Sequence, residues 1–177
     1  MKIAVLSDVH DNVWNLADAL EKVNAAGAEA LIFCGDFCAP FTLTQIGKGF
    51  AGPVHCVLGN NDGDPLLLVR NALAAGNVTL HGQYAELELG GRRIAVNHYP
   101  EIARRLAESG QFDLVCYGHN HQAKIEQVGE TVLANPGEVM GRFGTPTLGF
   151  YDCSTGEFTL HDVRHYPKTG GAEAAFV

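Results

Sequence analysis

One α/β domain with a mixed sheet system is predicted by three features of the sequence. Short apolar runs alternate with helical patterns in the first half, glycine-centred hairpin signals fill the second, and no internal repeat or linker interrupts them. The 177 residues fit a single domain able to bury its own core. The expected boundaries are a domain over residues 1–167 and a loose tail over 168–177.

Ile3-Ala-Val-Leu6 is an apolar run ending in polar residues, which suits a buried strand. Asp11 or Asn12 can cap the next helix, where Val13, Leu16, Ala17, Leu20 and Val23 recur at helical spacing before Gly27 stops it. Ala30 to Cys34 makes a second strand, ended by Gly35-Asp36. A helix is expected over Thr42 to Gly49, a strand over Val54 to Leu58, and a helix opened by Pro65 and running to about Ala75. This alternation predicts parallel pairing. Tyr84 to Leu89 and Arg92 to Asn97 then flank Gly90-Gly91, a two-residue hairpin signal. A helix over about Pro100 to Ser109 and a strand over Leu114 to Tyr117 follow. Lys124 to Val128 with Thr131 to Ala134, and Thr147 to Asp152 with Glu157 to Val163, make two further hairpins. The strands of the second half are expected in a second sheet packed on the first.

Composition narrows the function. Hydrophobic residues are 46% and charged residues 18%, an ordinary globular balance. Twenty acidic against twelve basic side chains give a formal charge of −8, which argues against bulk nucleic-acid binding, since that needs a basic footprint. A small phosphorylated substrate stays allowed, because bound cations reverse the local field. Five cysteines without regular spacing do not make a disulfide framework. Cys34, Cys56 and Cys116 fit buried thiols, whereas Cys38 and Cys153 are expected to be more exposed, with no histidine at an activating spacing. Asp8 arrives directly after the first apolar run, and the uncharged stretch Phe37 to Gly47 is too short to span a bilayer. A cytoplasmic protein with no membrane partner is expected, and a homo-oligomer is compatible with the sequence.

Function shows in the placement of polar residues. Asp8 and His10, then Asp36, then Asn60 and Asp62, then His98, then His119 and His121, each follow an apolar strand. Carboxyl ends of strands are where open α/β sheets bind ligands. Each residue alone has a plainer explanation: a cap, a turn, a satisfied histidine. Together these explanations strain, because capping does not call for imidazole, and no thiolate set suggests structural zinc.

In order, Asp8-Val9-His10, Gly35-Asp36, Gly59-Asn60-Asn61-Asp62, His98 and Gly118-His119-Asn120-His121 resemble the motifs of the calcineurin-like metallophosphoesterases, nearest the small bacterial and archaeal phosphodiesterase branch. The likeness runs from Ile3 to about Tyr151 and includes Asn135-Pro136-Gly137. It implies a four-layer αββα sandwich of two mixed sheets flanked by helices, with a dinuclear site. Asp8, His10 and His121 would hold one metal, Asn60, His98 and His119 the other, and Asp36 would bridge them. Such a pair, about 3.5–4 Å apart, acidifies a bridging water to the hydroxide that attacks phosphorus in line. Asn60, a neutral ligand, leaves the site more positive than a carboxylate cage would. The donor set suits two divalent transition metals such as Mn, Fe, Zn, Co or Ni, with manganese preferred on the resemblance.

Three departures from the family pattern bear on substrate. Asn61 stands where many relatives have the histidine that protonates the leaving group, with Asp62 orienting it. That acid contributes about 10²–10⁴-fold. Asn61 cannot replace it, so aryl or cyclic phosphodiesters, such as a 2′,3′-cyclic nucleotide, are the expected substrates. Asp62 is then free to fix the Asn60 loop through backbone hydrogen bonds. Tyr99-Pro100 follows His98 where relatives have a longer loop, so Tyr99 would line the pocket. Glu138 replaces a common serine and is expected to point away from the site. Arg142 is the candidate outer phosphate contact, set against an ordinary solvated arginine. Trp14 and Phe37 are candidate cleft walls, Trp14 fitting helix packing equally well. His55, His81, His161 and His165 receive no role. Three competing readings are a non-catalytic scaffold, like the retromer subunit that keeps this fold, a phosphoprotein phosphatase, and a nuclease.

Overall fold

The computed structural model describes residues 1–163, so the expected tail, the boundary at 167 and His165 lie outside the described residues. Strand β1 (Lys2–Leu6) alternates its side chains between two cores. Ile3 and Val5 face one, Ala4 and Leu6 the other, and all four are fully buried. Helix α1 (Val13–Ala25) starts at Asn12, whose Oδ1 accepts the Asn15 N–H at 3.1 Å. Then follow β2 (Ala30–Phe33), α2 (Pro40–Gly49), β3 (Val54–Cys56), α3 (Pro65–Ala75) and β4 (Val78–Leu80). Strands β1 to β4 pair in parallel, as the alternation requires. The short β4 was not expected from the sequence.

The second half supplies β5 (Tyr84–Leu89), β6 (Arg92–Asn97), α4 (Pro100–Glu108), β7 (Leu114–Cys116), β8 (Lys124–Val128) and β9 (Thr131–Asn135), which form a sheet in the order β5-β6-β7-β9-β8. The last hairpin, β10 (Thr147–Asp152) and β11 (Glu157–Asp162), departs from expectation. It returns to the first sheet, giving the order β11-β10-β1-β2-β3-β4. The cause is the edge of β1 that β2 leaves unpaired; antiparallel pairing from Lys2↔Asp152 to Val5↔Gly149 satisfies its backbone groups.

Four layers result. Helices α1 to α3 cover the first sheet through Leu16, Leu43, Ile46 and Leu68. The two sheets meet across Ile3, Val5 and Ile32 on one side and Ile94, Val96 and Leu114 on the other. Helix α4 closes the far face through Ala103 and Ala107, against Ala95 and Val115. Among the described residues, no helix is long and apolar enough to cross a membrane. Phe37 is no cleft wall: it is fully buried in the helix-side core beside Phe33. Trp14 is 51% exposed.

Candidate metal centre

The loops leaving β1, β2, β3, β6 and β7 converge at one edge of the sandwich. Asp8, Asp36 and His98 form a buried floor, with at most 1% exposure. His10 and His121 are half-buried, and Asn60 and His119 form an exposed rim.

Two clusters share this floor. Ligand atoms of Asp8, His10 and His121 lie within 4.8 Å of one another, as do those of Asp8, Asp36 and His98. Asn60 Oδ1 joins the second cluster, 3.1 Å from His98 Nε2 and 2.9 Å from His119 Nδ1. Asp36 Oδ2 lies between them, 3.5 Å from His10 Nε2 and 3.4 Å from His98 Nε2. The seven residues expected together are together.

Glycines and backbone strain make this convergence feasible. A Cβ on Gly59 would strike the Asp36 carboxylate, and one on Gly118 would strike Ser7 Oγ and come within 2.6 Å of Asp8 Oδ2. Asp8, His10, Asp36, His119 and His121 all have positive φ, between 43° and 74°. L-residues resist this conformation unless their surroundings fix it.

Partners behind these residues hold them. The Asp8 carboxylate accepts the His119 N–H at 3.1 Å, and Asn135 Nδ2 donates to the Gly118 carbonyl at 3.0 Å. The Asp62 carboxylate accepts the N–H groups of Gly59 at 2.7 Å, Cys38 at 2.8 Å and Asp36 at 3.1 Å, tying two ligand loops together. Asn61 turns inward, its backbone N–H and side-chain Nδ2 each donating to Asp36 at 2.8 Å. Burial alone would raise the Asp36 carboxyl, but hydrogen bonds from His98 and Asn61 outweigh it and hold Asp36 well below the usual carboxylate range. Burial opposes protonation of His98, and the Asp36 carboxylate more than offsets this, so the imidazole is raised.

The remaining expected residues divide. Tyr99 packs edge-on against His98 at 5.2 Å and tilts against His119 at 5.3 Å, so it borders the site. Arg142 is exposed and stacks 5.0 Å over the Phe143 ring, one ring removed from His121. Glu138 departs from expectation. It is 2% exposed, with Oε2 2.6 Å from His121 Nδ1, the nitrogen facing away from Asp8. Cys153 departs from expectation in being buried, whereas Cys38 is more exposed than Cys34, Cys56 and Cys116, as expected, and its Sγ lies 3.4 Å from His10 Nδ1. That contact does not activate the thiol, because burial and the carboxylates of Asp11 and Asp36 push it up to about 12. No spacing rule could reveal either pair, since the partners meet across separate loops.

Known proteins match the same elements. The model of the calcineurin-like phosphoesterase superfamily domain matches residues 1–156. Phosphodiesterase MJ0936 of Methanocaldococcus jannaschii is 29% identical over 161 residues, covering 89% of this chain and 96% of that protein. The structure of a novel archaeal phosphodiesterase superposes with a TM-score of 0.85 at 28% identity, over 92% of this chain and 99% of that one. The fold alone is shared with YfcE, a phosphoesterase from E. coli (TM-score 0.65, 20% identity, 93% and 100% covered), and with Vps29 of Entamoeba histolytica (0.65, 17%, 94% and 100%). With the domain matched across every strand end that carries a candidate ligand, the chain belongs to the calcineurin-like phosphoesterase superfamily.

Proposed function

We propose that the protein is a metal-dependent phosphodiesterase with two divalent cations, one held by Asp8, His10 and His121, the other by Asn60, His98 and His119, and Asp36 between them. The observation carrying this reading is the position of Asp36 Oδ2, nearly equidistant from His10 Nε2 at 3.5 Å and His98 Nε2 at 3.4 Å. The donor set fits metal on a second count. His10 Nε2 is buried without a hydrogen-bond partner among the described residues, and faces two carboxylates. The charged partners of Asp8 and Asp36 in that set are histidines rather than lysine or arginine. Phosphodiesterase activity is named for the curated relative at 29% identity and in the solved archaeal structure at 28%, which supports the same reaction class here.

Bound there, the cations supply Lewis-acid charge and an acidified water. The chain's own residues do the rest. Asn60 contributes no negative charge, leaving a net positive field for a phosphate. Asn61 holds Asp36 through two hydrogen bonds and has no acidic proton to give a leaving group. Leaving groups that depart without full protonation are therefore favoured: aryl oxides, or the alkoxide of a 2′,3′-cyclic nucleotide. Asp62 fixes the loops instead of orienting a histidine. Tyr99 narrows the mouth, and Asn61, Tyr99 and Arg142 are the proposed substrate contacts. Manganese is the preferred metal, and a small phosphodiester the preferred partner.

The test is hydrolysis of bis-p-nitrophenyl phosphate, p-nitrophenyl phosphate, serine phosphate and 2′,3′- and 3′,5′-cyclic nucleotides, with and without Mn²⁺. The expected order puts aryl and 2′,3′-cyclic diesters far above serine phosphate. Asp36→Asn should lose about three orders of magnitude, the scale of several kcal/mol of transition-state charge stabilisation. Metal-independent turnover, or an active Asp36→Asn, would refute the reading.

A further inference from the structure

We propose that Glu138 is a positioning residue: it locks the ring of His121, makes the Asp8–His10–His121 position the tighter of the two metal positions, and pins the loop walling the neighbouring cavity. The proposal rests on the dinuclear reading above. Its basis is a buried carboxylate whose two oxygens face different elements.

Oε2 lies 2.6 Å from His121 Nδ1. Oε1 accepts the N–H of Phe143 at 2.6 Å and of Gly144 at 3.2 Å. The side chain is 2% exposed, and such a charge persists only when its oxygens are satisfied. Oε1 already accepts two backbone N–H groups; with Oε2 accepting as well, His121 Nδ1 is the donor and Nε2 keeps its lone pair. That nitrogen lies 3.6 Å from Asp8 Oδ1. An imidazole lone pair and a carboxylate so placed await a cation. A carboxylate behind an imidazole fixes its ring orientation and tautomer.

The other buried imidazoles have weaker support. His98 Nδ1 faces the neutral Cys34 carbonyl at 2.7 Å, and His10 Nδ1 faces the Cys38 thiol at 3.4 Å. The His121 ring also lies 5.0 Å from the His10 ring and 5.2 Å from the Phe143 ring. The asymmetry therefore falls on one position. The second oxygen explains why Phe143, 68% exposed, stays beside His121: its backbone is tied to the same carboxylate. His121, Glu138, Phe143, Gln122 and Thr145 help line a cavity of about 480 Å³ next to the metal centre.

The experiment uses the full chain in three variants, Glu138→Ala, Glu138→Gln and Phe143→Ala, with calorimetric Mn²⁺ titration and ¹⁵N-histidine NMR. Wild type should bind two ions in distinguishable steps, with His121 in the Nδ1–H form before metal is added. In Glu138→Ala the tighter step should weaken by about 10–100-fold, the usual effect of losing such a partner, and the other by less than about threefold. Glutamine keeps the volume but brings N–H donors against either Nδ1–H or the loop amides, so Glu138→Gln should weaken the tighter step about tenfold. If Glu138→Ala fails to fold, this variant decides alone. Phe143→Ala removes the ring beside His121 but keeps the backbone N–H bonded to Glu138, and should leave both steps within about threefold of wild type, which separates the carboxylate's contribution from ring packing. An Nε2–H tautomer at His121, an unchanged tighter step, or equal weakening of both steps would overturn the proposal. Wild type binding fewer than two ions would instead refute the dinuclear reading, so the two failures are distinct.

Discussion

At Asp8, His10, Asp36, His119 and His121, side-chain chemistry and backbone preference pull in opposite directions, and chemistry prevails. Each left-handed residue costs of order 1 kcal/mol, offset by the packing that defines the three loops carrying them. Gly118 is part of that packing. Gly118→Ala, with its Cβ against Ser7 and Asp8, should displace Asp8 and lower Mn²⁺ affinity by more than tenfold, read by calorimetry. At the rim, Asn61→His should raise turnover on alkyl esters more than on p-nitrophenyl esters, because it restores a proton donor worth up to about 10²–10⁴-fold. Equal gains on both substrates would remove the leaving-group argument. Away from the site, His55 Nδ1 lies 3.1 Å from His81 Nε2. Burial, with His81 as an added cause for His55, holds both below the usual imidazole range. Lowered imidazoles contribute stability above a pH of about 6.5 that is lost as pH falls. Raised imidazoles such as His98 act oppositely, so the pair is read by difference: His81→Gln should reduce the loss of urea midpoint between about pH 7.5 and 5.5. The residues that gather at the candidate centre were legible in the sequence because each follows an apolar run. Glu138 and Cys38 were not, because contact across loops leaves no period.

Elements show a similar division. The helix α1 start was readable as Asp11 or Asn12, and the structure uses both for different ends. Asn12 caps α1, while Asp11 Oδ1 accepts the Ala39 N–H at 2.9 Å and the buried Thr42 hydroxyl at 2.6 Å, serving α2. Helix α2 has no capping side chain of its own at Ala39, so this distant carboxylate substitutes. Asp11→Ala should cost about 1–2 kcal/mol in urea unfolding, more than a surface cap, since Thr42 is left without its acceptor. A loss under about 0.3 kcal/mol would show that water takes over. The parallel strands were legible because helices separate them. Strand β4 was not, since three residues after Gly76-Asn77 give no alternation to detect. The return of β10 to β1 was also hidden, because pairing partners 147 to 152 and 2 to 5 share no local signal.

Across the whole molecule, the candidate metal centre joins loops from both sheets: Asp8 and Asp36 follow the first, His98, His119 and His121 the second. Ions held there bind the folded chain and stabilise it by about 2.7 kcal/mol per position at a hundredfold excess over Kd. For two positions in a chain of this size, chelation should lower Tm by about 10–20 °C, measured with and without EDTA. A shift under about 2 °C would mean the sheets hold their register unaided. The β10–β1 pairing carries a further consequence, for synthesis. Every candidate ligand has left the ribosome once His121 has emerged, yet the strand leading into Asp8 then lacks its neighbour on one side. Until residues 147 to 152 follow, that row of amides and carbonyls is open to pairing with another nascent chain. A chain cut after Met140 would hold all seven candidate ligands and still be expected to collect in inclusion bodies rather than bind Mn²⁺. The last hairpin carries none of the seven candidate ligands, yet the strand leading into the candidate centre is expected to stay half-paired until that hairpin is made.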